Sequence, residues 1–299
     1  MGRSIISLTV CLVFFLASCK KSENLSPQLN IVDGFEVEKI LESSDSTFGS
    51  WVSITSDNKG RLLVSDQYGK VFRFYPPLDD ETINMDNIES IDLEIGYAQG
   101  LLWTEDGLFV TVNQERSEKN PGSGLYKLID SNNDDNYDKM ILIQSLKGGG
   151  EHGPHSLLKG PDGYIYLIAG NGTLLPDSIG YQMPDIYEND NILPIITDPH
   201  GIFSGWKPPG GWIVRMDKNG ENWELWAGGF RNSYDIAFDE NGELFTFDSD
   251  MEWDLGTPWY RPVRICHVIK GAEFGWRTGS GKWPPYYPDN LPGILDIGQ

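Results

Sequence analysis

Apolar and polar positions along the chain fall into a unit that recurs. A short apolar run meets a Gly-containing turn, and a second apolar run follows. The first copy is 51–55 (WVSIT), the turn Asp57-Asn58-Lys59-Gly60, then 62–65 (LLVS). The second is 100–103 (GLLW), Glu105-Asp106-Gly107, then 108–111 (LFVT). The third is 156–158 (SLL), Gly160-Pro161-Asp162-Gly163, then 165–168 (IYLI). The fourth is 234–238 (YDIAF), Asp239-Glu240-Asn241-Gly242, then 243–247 (ELFTF). An Asn-Gly pair tolerates the positive φ that tight hairpins require. Further short strands flank these pairs, such as 70–74 (KVFRF) and 211–216 (GWIVRM). No stretch has the period of a long amphipathic helix. The expected class is all-β, and four strands per unit repeated around an axis predict a β-propeller.

Chemistry gathers at the edges of the last two repeats. Arg231-Asn232 stands just before the fourth hairpin, and the acidic run 248–254 (DSDMEWD) stands just after it. A guanidinium and an amide at one strand entrance, with carboxylates at the neighbouring exit, read as a polar site or as a salt-bridged loop cluster. Two of the four His, His152 and His155, lie in 148–155 (GGGEHGPH), ahead of the third repeat. A histidine there suits a general base, because its pKa lies near neutrality. A metal pair and two structural histidines are the alternatives, since His-x-x-His alone is a weak ligand pattern. The run 130–138 (DSNNDDNYD) imitates the start of a calcium loop, but Asp135 replaces the turn Gly and Ile141 replaces the closing Glu. It is read as a turn with at most weak calcium affinity. Long insertions at 113–124 and 172–209 read either as walls of a substrate mouth or as surface loops. Eight of the ten Trp follow residue 200. Trp253, Trp259, Tyr260 and Trp283 could stack on sugar rings, although packing between blades is the commoner use of such residues.

Charge and the N-terminus change the setting. The formal net charge is −21, and basic clusters are missing, which argues against nucleic-acid partners. Arg3 precedes an apolar run from Ile5 to Leu16, too short to span a membrane. Leu16-Ala17-Ser18-Cys19 resembles a bacterial lipobox, so 1–18 is expected to be a lipoprotein signal peptide and Cys19 the acylated N-terminus. An ordinary secretory signal is the alternative. Residues 19–32 then form a tether, and 33–299 the propeller domain, anchored on an extracytoplasmic membrane face. Cys266 would be left unpaired, and the chain has no Cys-x-x-Cys-His haem motif.

The order Arg231-Asn232, hairpin, acidic loop, Lys270-Gly271 and Phe274-Gly275-Trp276 resembles the quinoprotein glucose/sorbosone dehydrogenase superfamily. The segments 250–254 (DMEWD), 258–262 (PWYRP), 274–277 (FGWR) and 282–284 (KWP) resemble more closely a bacterial branch labelled membrane-bound dehydrogenases. Members of that branch often carry a cytochrome c-like haem domain. The resemblance covers about residues 33–299. It implies a six-bladed propeller, of which about four blades are present here, with an open channel and no contact closing the first blade on the last. It implies oxidation of a carbohydrate or other alcohol with pyrroloquinoline quinone (PQQ) and calcium, and an electron acceptor such as a cytochrome c domain. His152 stands eight residues before Gly160, the family position of the catalytic base. Arg231 and Asn232 fall where the quinone oxygens are held, with Asn171 on the cofactor side, Asp248 and Asp250 at the calcium loop, and His155 at the mouth near the substrate, where Trp259 is the stacking candidate. The family's Asp behind the base is Asn171 here. Asn171 can accept a hydrogen bond but cannot stabilise an imidazolium as a carboxylate does. A non-catalytic propeller that binds carbohydrate or a partner, and a calcium-dependent sugar lactonase, are the competing readings.

Overall fold

One turn recurs around the molecule. In a computed structural model of the chain, Gly60, Gly220 and Gly242 take φ near +80°, and their N–H groups close on the carbonyls of Asp57, Asp217 and Asp239. Each of these carboxylates accepts two more N–H bonds from the same turn, for Asp239 those of Asn241 (2.9 Å) and Glu243 (2.8 Å). Such turns leave the chain antiparallel to itself with a twist that suits paired strands. Gly163 plays the same part after Gly160 in the third repeat.

The structure describes residues 30–41, 48–78, 83–114, 122–179, 194–283, 287 and 290–298. The signal peptide and Cys19 lie outside them, as do parts of both insertions. A compact unit begins at Ser43. The first sheet runs β1 (Trp51–Ser56), β2 (Leu62–Asp66), β3 (Val71–Phe74), β4 (Glu89–Ser90). The second runs β5 (Ala98–Thr104), β6 (Gly107–Val112), β7 (Gly124–Ile129), β8 (Lys139–Ser145). The third takes β9 (Pro154–Lys159), β10 (Ile165–Ala169), β11 (Gly211–Met216) and β12 (Glu224–Phe230). The fourth begins with β13 (Ile236–Phe238) and β14 (Leu244–Asp248). A separate hairpin of β15 (Met251–Asp254) and β16 (Thr257–Arg261) then interrupts it, before β17 (Val263–His267) resumes the sheet. After β17 the chain lends β18 (Ala272–Glu273) to the third sheet, parallel to β12, and returns with β19 (Leu295–Ile297) beside β17. The first strands β1, β5, β9 and β13 adjoin one another in order. The four sheets are therefore four blades of a β-propeller around one axis.

Core lies between successive blades. Leu63 and Val71 of the first blade meet Leu101, Leu108 and Val110 of the second. Phe109 and Leu125 meet Leu157, Leu167 and Trp212 of the third. Ile168 and Ile213 meet Ile236, Leu244 and Cys266 of the fourth. Every residue of β6 and β10 is buried, because both faces of a middle strand are covered. That is why these strands read as apolar runs and not as alternation.

Two expectations change. Tyr234 and Asp235 precede the strand, which starts at Ile236, because Asp248 pins the backbone just upstream. And the first blade does meet the last: the Tyr234 hydroxyl lies 3.2 Å from the Val52 carbonyl and 3.3 Å from Gln99 Oε1. A tyrosine ring two residues ahead of β13 is long enough to reach β1 where the inner strands converge.

Candidate functional site

His152 ends a single 3-10 turn, Gly150–His152, directly ahead of β9. Its carbonyl accepts the Gly172 N–H at 3.0 Å, which ties it to the end of β10. Gly170 has to be glycine, since a Cβ there would stand 2.3 Å from Asn232 Oδ1 and 2.8 Å from the His152 carbonyl. Between these two glycines lies Asn171. Its Oδ1 is 2.5 Å from His152 Nδ1, and its N–H donates to the Arg231 carbonyl at 2.8 Å. Asn171 thus links the third blade's histidine to the fourth blade's entrance. With the amide oxygen as acceptor, Nδ1 carries the proton and Nε2 keeps its lone pair.

Asp248, at the end of β14, shapes that entrance. It is 2% exposed and accepts the N–H groups of Arg231 (2.9 Å) and Asn232 (3.0 Å), the Ser233 hydroxyl (3.3 Å) and Arg264 Nη2 (2.9 Å). Arg231 Nη1 donates to Ser249 Oγ at 2.7 Å, and its Nε is buried without a partner. Asn232 receives His155 Nε2 on its Oδ1 at 3.1 Å and donates Nδ2 to the Glu151 carbonyl at 3.0 Å. His152, His155, Asn171, Arg231 and Asn232 therefore form one cluster.

Electrostatics keep both histidines neutral at neutral pH. Burial pushes His152 below its usual range, with Arg231 adding to the effect and the Asn171 bond opposing it. Burial pushes His155 down to about 4. A neutral imidazole with a free Nε2 is the form a general base needs.

The expected calcium ligands do not assemble. Asp248's oxygens are taken by N–H and O–H donors and a guanidinium, the surroundings of an ion-paired structural carboxylate and not of a hard cation. Among the described residues no group of three or more His, Cys, Asp or Glu, Asp250 included, is placed to hold a metal. In the loop 130–138, Asp135 faces Lys59, Arg61 and Arg73 of the first blade. Its φ of 74° confirms the left-handed position where calcium loops carry Gly. Trp259 is 42% exposed on β16, and Trp283 is buried with Arg277 over its ring.

A cavity of about 670 Å³ opens beside the cluster. Tyr68, Tyr97 and Tyr234 line it together with Gln99, Asn113, His155 and Asn232, whereas His152, Arg231 and Trp259 do not. Phe203 and Trp206 lie against His152 instead, with ring centroids 5.5 and 5.6 Å away. Sequence reading missed these five aromatic residues as parts of the site. Their signal was weak: Tyr234 stood in the expected strand 234–238, Phe203 and Trp206 stood in the insertion 172–209, and Tyr68 and Tyr97 fall outside the apolar runs.

No family model matches the chain. A curated relative, the HIPL2 protein of Arabidopsis thaliana, is 28% identical over 155 residues, covering 48% of this chain and 21% of its own length. The match thus spans only a small part of that relative. Among solved structures, the PQQ-bound aldose sugar dehydrogenase of Streptomyces coelicolor superposes with a TM-score of 0.52 at 15% identity, over 87% of this chain and 71% of that one. An oxidoreductase of Thermus thermophilus described as a glucose dehydrogenase gives 0.54 at 16%, over 86% and 72%. The chain shares the fold of the sugar-dehydrogenase propellers. Likeness at such low identity carries the fold alone.

Proposed function

We propose that this chain is a quinone-dependent sugar or alcohol dehydrogenase propeller, lipid-anchored through Cys19 on an extracytoplasmic membrane face. The observation that carries the reading is the Asn171 link. Neighbours in sequence give His152 and Arg231 no reason to meet, yet one asparagine bonds to both. His152 Nε2 accepts the proton of the substrate's C1 hydroxyl. Arg231 and Asn232 would hold the quinone, and the buried, unpartnered Nε of Arg231 is a donor suited to that task. PQQ, when bound, supplies the two-electron acceptor for the hydride leaving C1. Turnover would then need an external electron acceptor, such as a c-type cytochrome.

The test is turnover with PQQ, an aldose and an artificial electron acceptor. His152→Ala is expected to lower the rate by roughly two to four orders of magnitude. Equal turnover in the variant would overturn the assignment. Anchoring is tested separately, because Cys19→Ser should leave the membrane fraction or remain unprocessed. A variant that fractionates and migrates as wild type would contradict acylation at Cys19.

One observation favours a second reading, a non-catalytic carbohydrate-binding propeller. The mouth cavity, rich in tyrosines and amides, is formed without His152 or Arg231. Sugar binding that survives His152→Ala, in a protein that binds no quinone, would select this reading.

A further inference from the structure

The segment between Asp198 and Gly210 belongs to the long insertion, and it is fixed in place. Asp198 is 3% exposed and accepts Trp253 Nε1 (3.0 Å), the Gly256 N–H (2.6 Å) and the His200 N–H (2.7 Å). The Thr278 hydroxyl donates to the Phe203 carbonyl at 2.8 Å. Phe203 holds a φ of 53°, a conformation a bulky residue adopts only where its surroundings impose it. The outcome of these anchors is a pair of rings, Phe203 and Trp206, edge to face at 4.8 Å. Both rings meet the His152 imidazole, and the Arg231 guanidinium lies 5.5 Å from the Phe203 centroid. His152 is left only 9% exposed and does not line the cavity beside the cluster.

We propose that Phe203 and Trp206 are positioning residues of the His152 site: an aromatic cover that keeps water from the imidazole and fixes the direction from which a substrate alcohol reaches Nε2. The inference rests on His152 being the base. Removing hydration disfavours a charged imidazolium, so the cover holds His152 in its proton-accepting form. The charged groups facing the imidazole are Arg231, which reinforces the effect, and Glu151 and Asp248, which oppose it. None of these lies on the covering segment, so shortening the rings leaves the charges in place.

The experiment is titration of the His152 ring by NMR in the protein without quinone, with acylation by diethyl pyrocarbonate as a second readout. In Phe203→Ala/Trp206→Ala the titration midpoint should move upward toward 6.5, the ordinary histidine value. Acylation of His152 should speed several-fold, with that of His267 unchanged. Trp206→Phe should restore most of the wild-type behaviour when Phe203 is kept. Thr278→Val, which removes one anchor and no ring, should give an intermediate acylation rate if the larger variant does not fold. A His152 titration and acylation rate equal to wild type in both Trp206→Ala and Thr278→Val would overturn the proposal. Because neither readout needs turnover, a cover without catalysis would be distinguished from the absence of a cover.

Discussion

His155 is 2% exposed, its Nε2 bonds to Asn232, and its Nδ1 is buried without a partner. A second proton would bury a positive charge away from water. Burial pushes this ring down to about 4 in the folded protein, against the ordinary value of 6.5 in an unfolded chain. Between those values the unfolded state binds more protons, so stability is complete above about pH 6.5 and is lost as pH falls toward 4. The loss attributable to this group is on the order of 3 kcal/mol. Urea denaturation of wild type and His155→Gln at several pH values should show a flatter acid limb in the variant, and identical limbs would remove His155 as the cause. Asn171→Asp tests the residue behind the other histidine. A carboxylate 2.5 Å from Nδ1 should raise the His152 midpoint, because an opposite charge favours the imidazolium. An unchanged NMR titration would mean that Asn171 does not face the ring. Cys266 is fully buried, and burial pushes its thiol up to about 12. It should react with a thiol reagent only after unfolding.

Among elements, the turn joining β7 to β8 is clamped onto the first blade. Asp135 bonds to Arg61 Nη1 at 2.6 Å and Nη2 at 2.8 Å, and its carbonyl accepts Arg73 Nη1 at 2.6 Å. Arg61 is nearly buried whereas the Asp135 side chain is 41% exposed, so screening discounts the pair. Asp135→Asn should lower stability by about 1 kcal/mol, less at high salt, as read from thermal melts. A melt unchanged at low salt would show the clamp to be idle. At this scale the sequence was most legible. The Asp-x-x-Gly turns announced the first and fourth hairpins, because a carboxylate that caps two N–H groups and a glycine at positive φ act within five residues. The start of β13 was not legible, since it depends on Asp248 reaching back to Arg231 and Asn232. Nor was the calcium reading of Asp248 safe, because Arg264 arrives from β17 across the sheet. The same holds for Phe203 and Trp206, whose contact with His152 is created by anchors on Trp253, Gly256 and Thr278.

At the scale of the whole molecule, a propeller gathers the inner ends of its blades. His152 precedes β9 and Arg231 precedes β13, so both stand at the same end of adjoining inner strands. The blade repeat, legible from hydrophobic runs and turns, therefore forecast the meeting of residues that sequence distance separates. What the repeat could not forecast was the cross-channel bond from Tyr234 to Val52, which depends on how the inner strands crowd at the axis. A net charge of −21 opposes the approach of an anionic cofactor, so on the proposed function retention of PQQ, a tricarboxylate, would rest on local cations. Calorimetric titration of PQQ into the protein tests this most directly. Wild type should bind, His152→Ala should bind about as well while losing turnover, and Arg231→Ala should bind at least about tenfold more weakly, the cost of one charge-assisted hydrogen bond. A wild-type protein that binds no quinone, or an Arg231→Ala variant that binds it as tightly as wild type, would contradict a quinone site at His152 and Arg231.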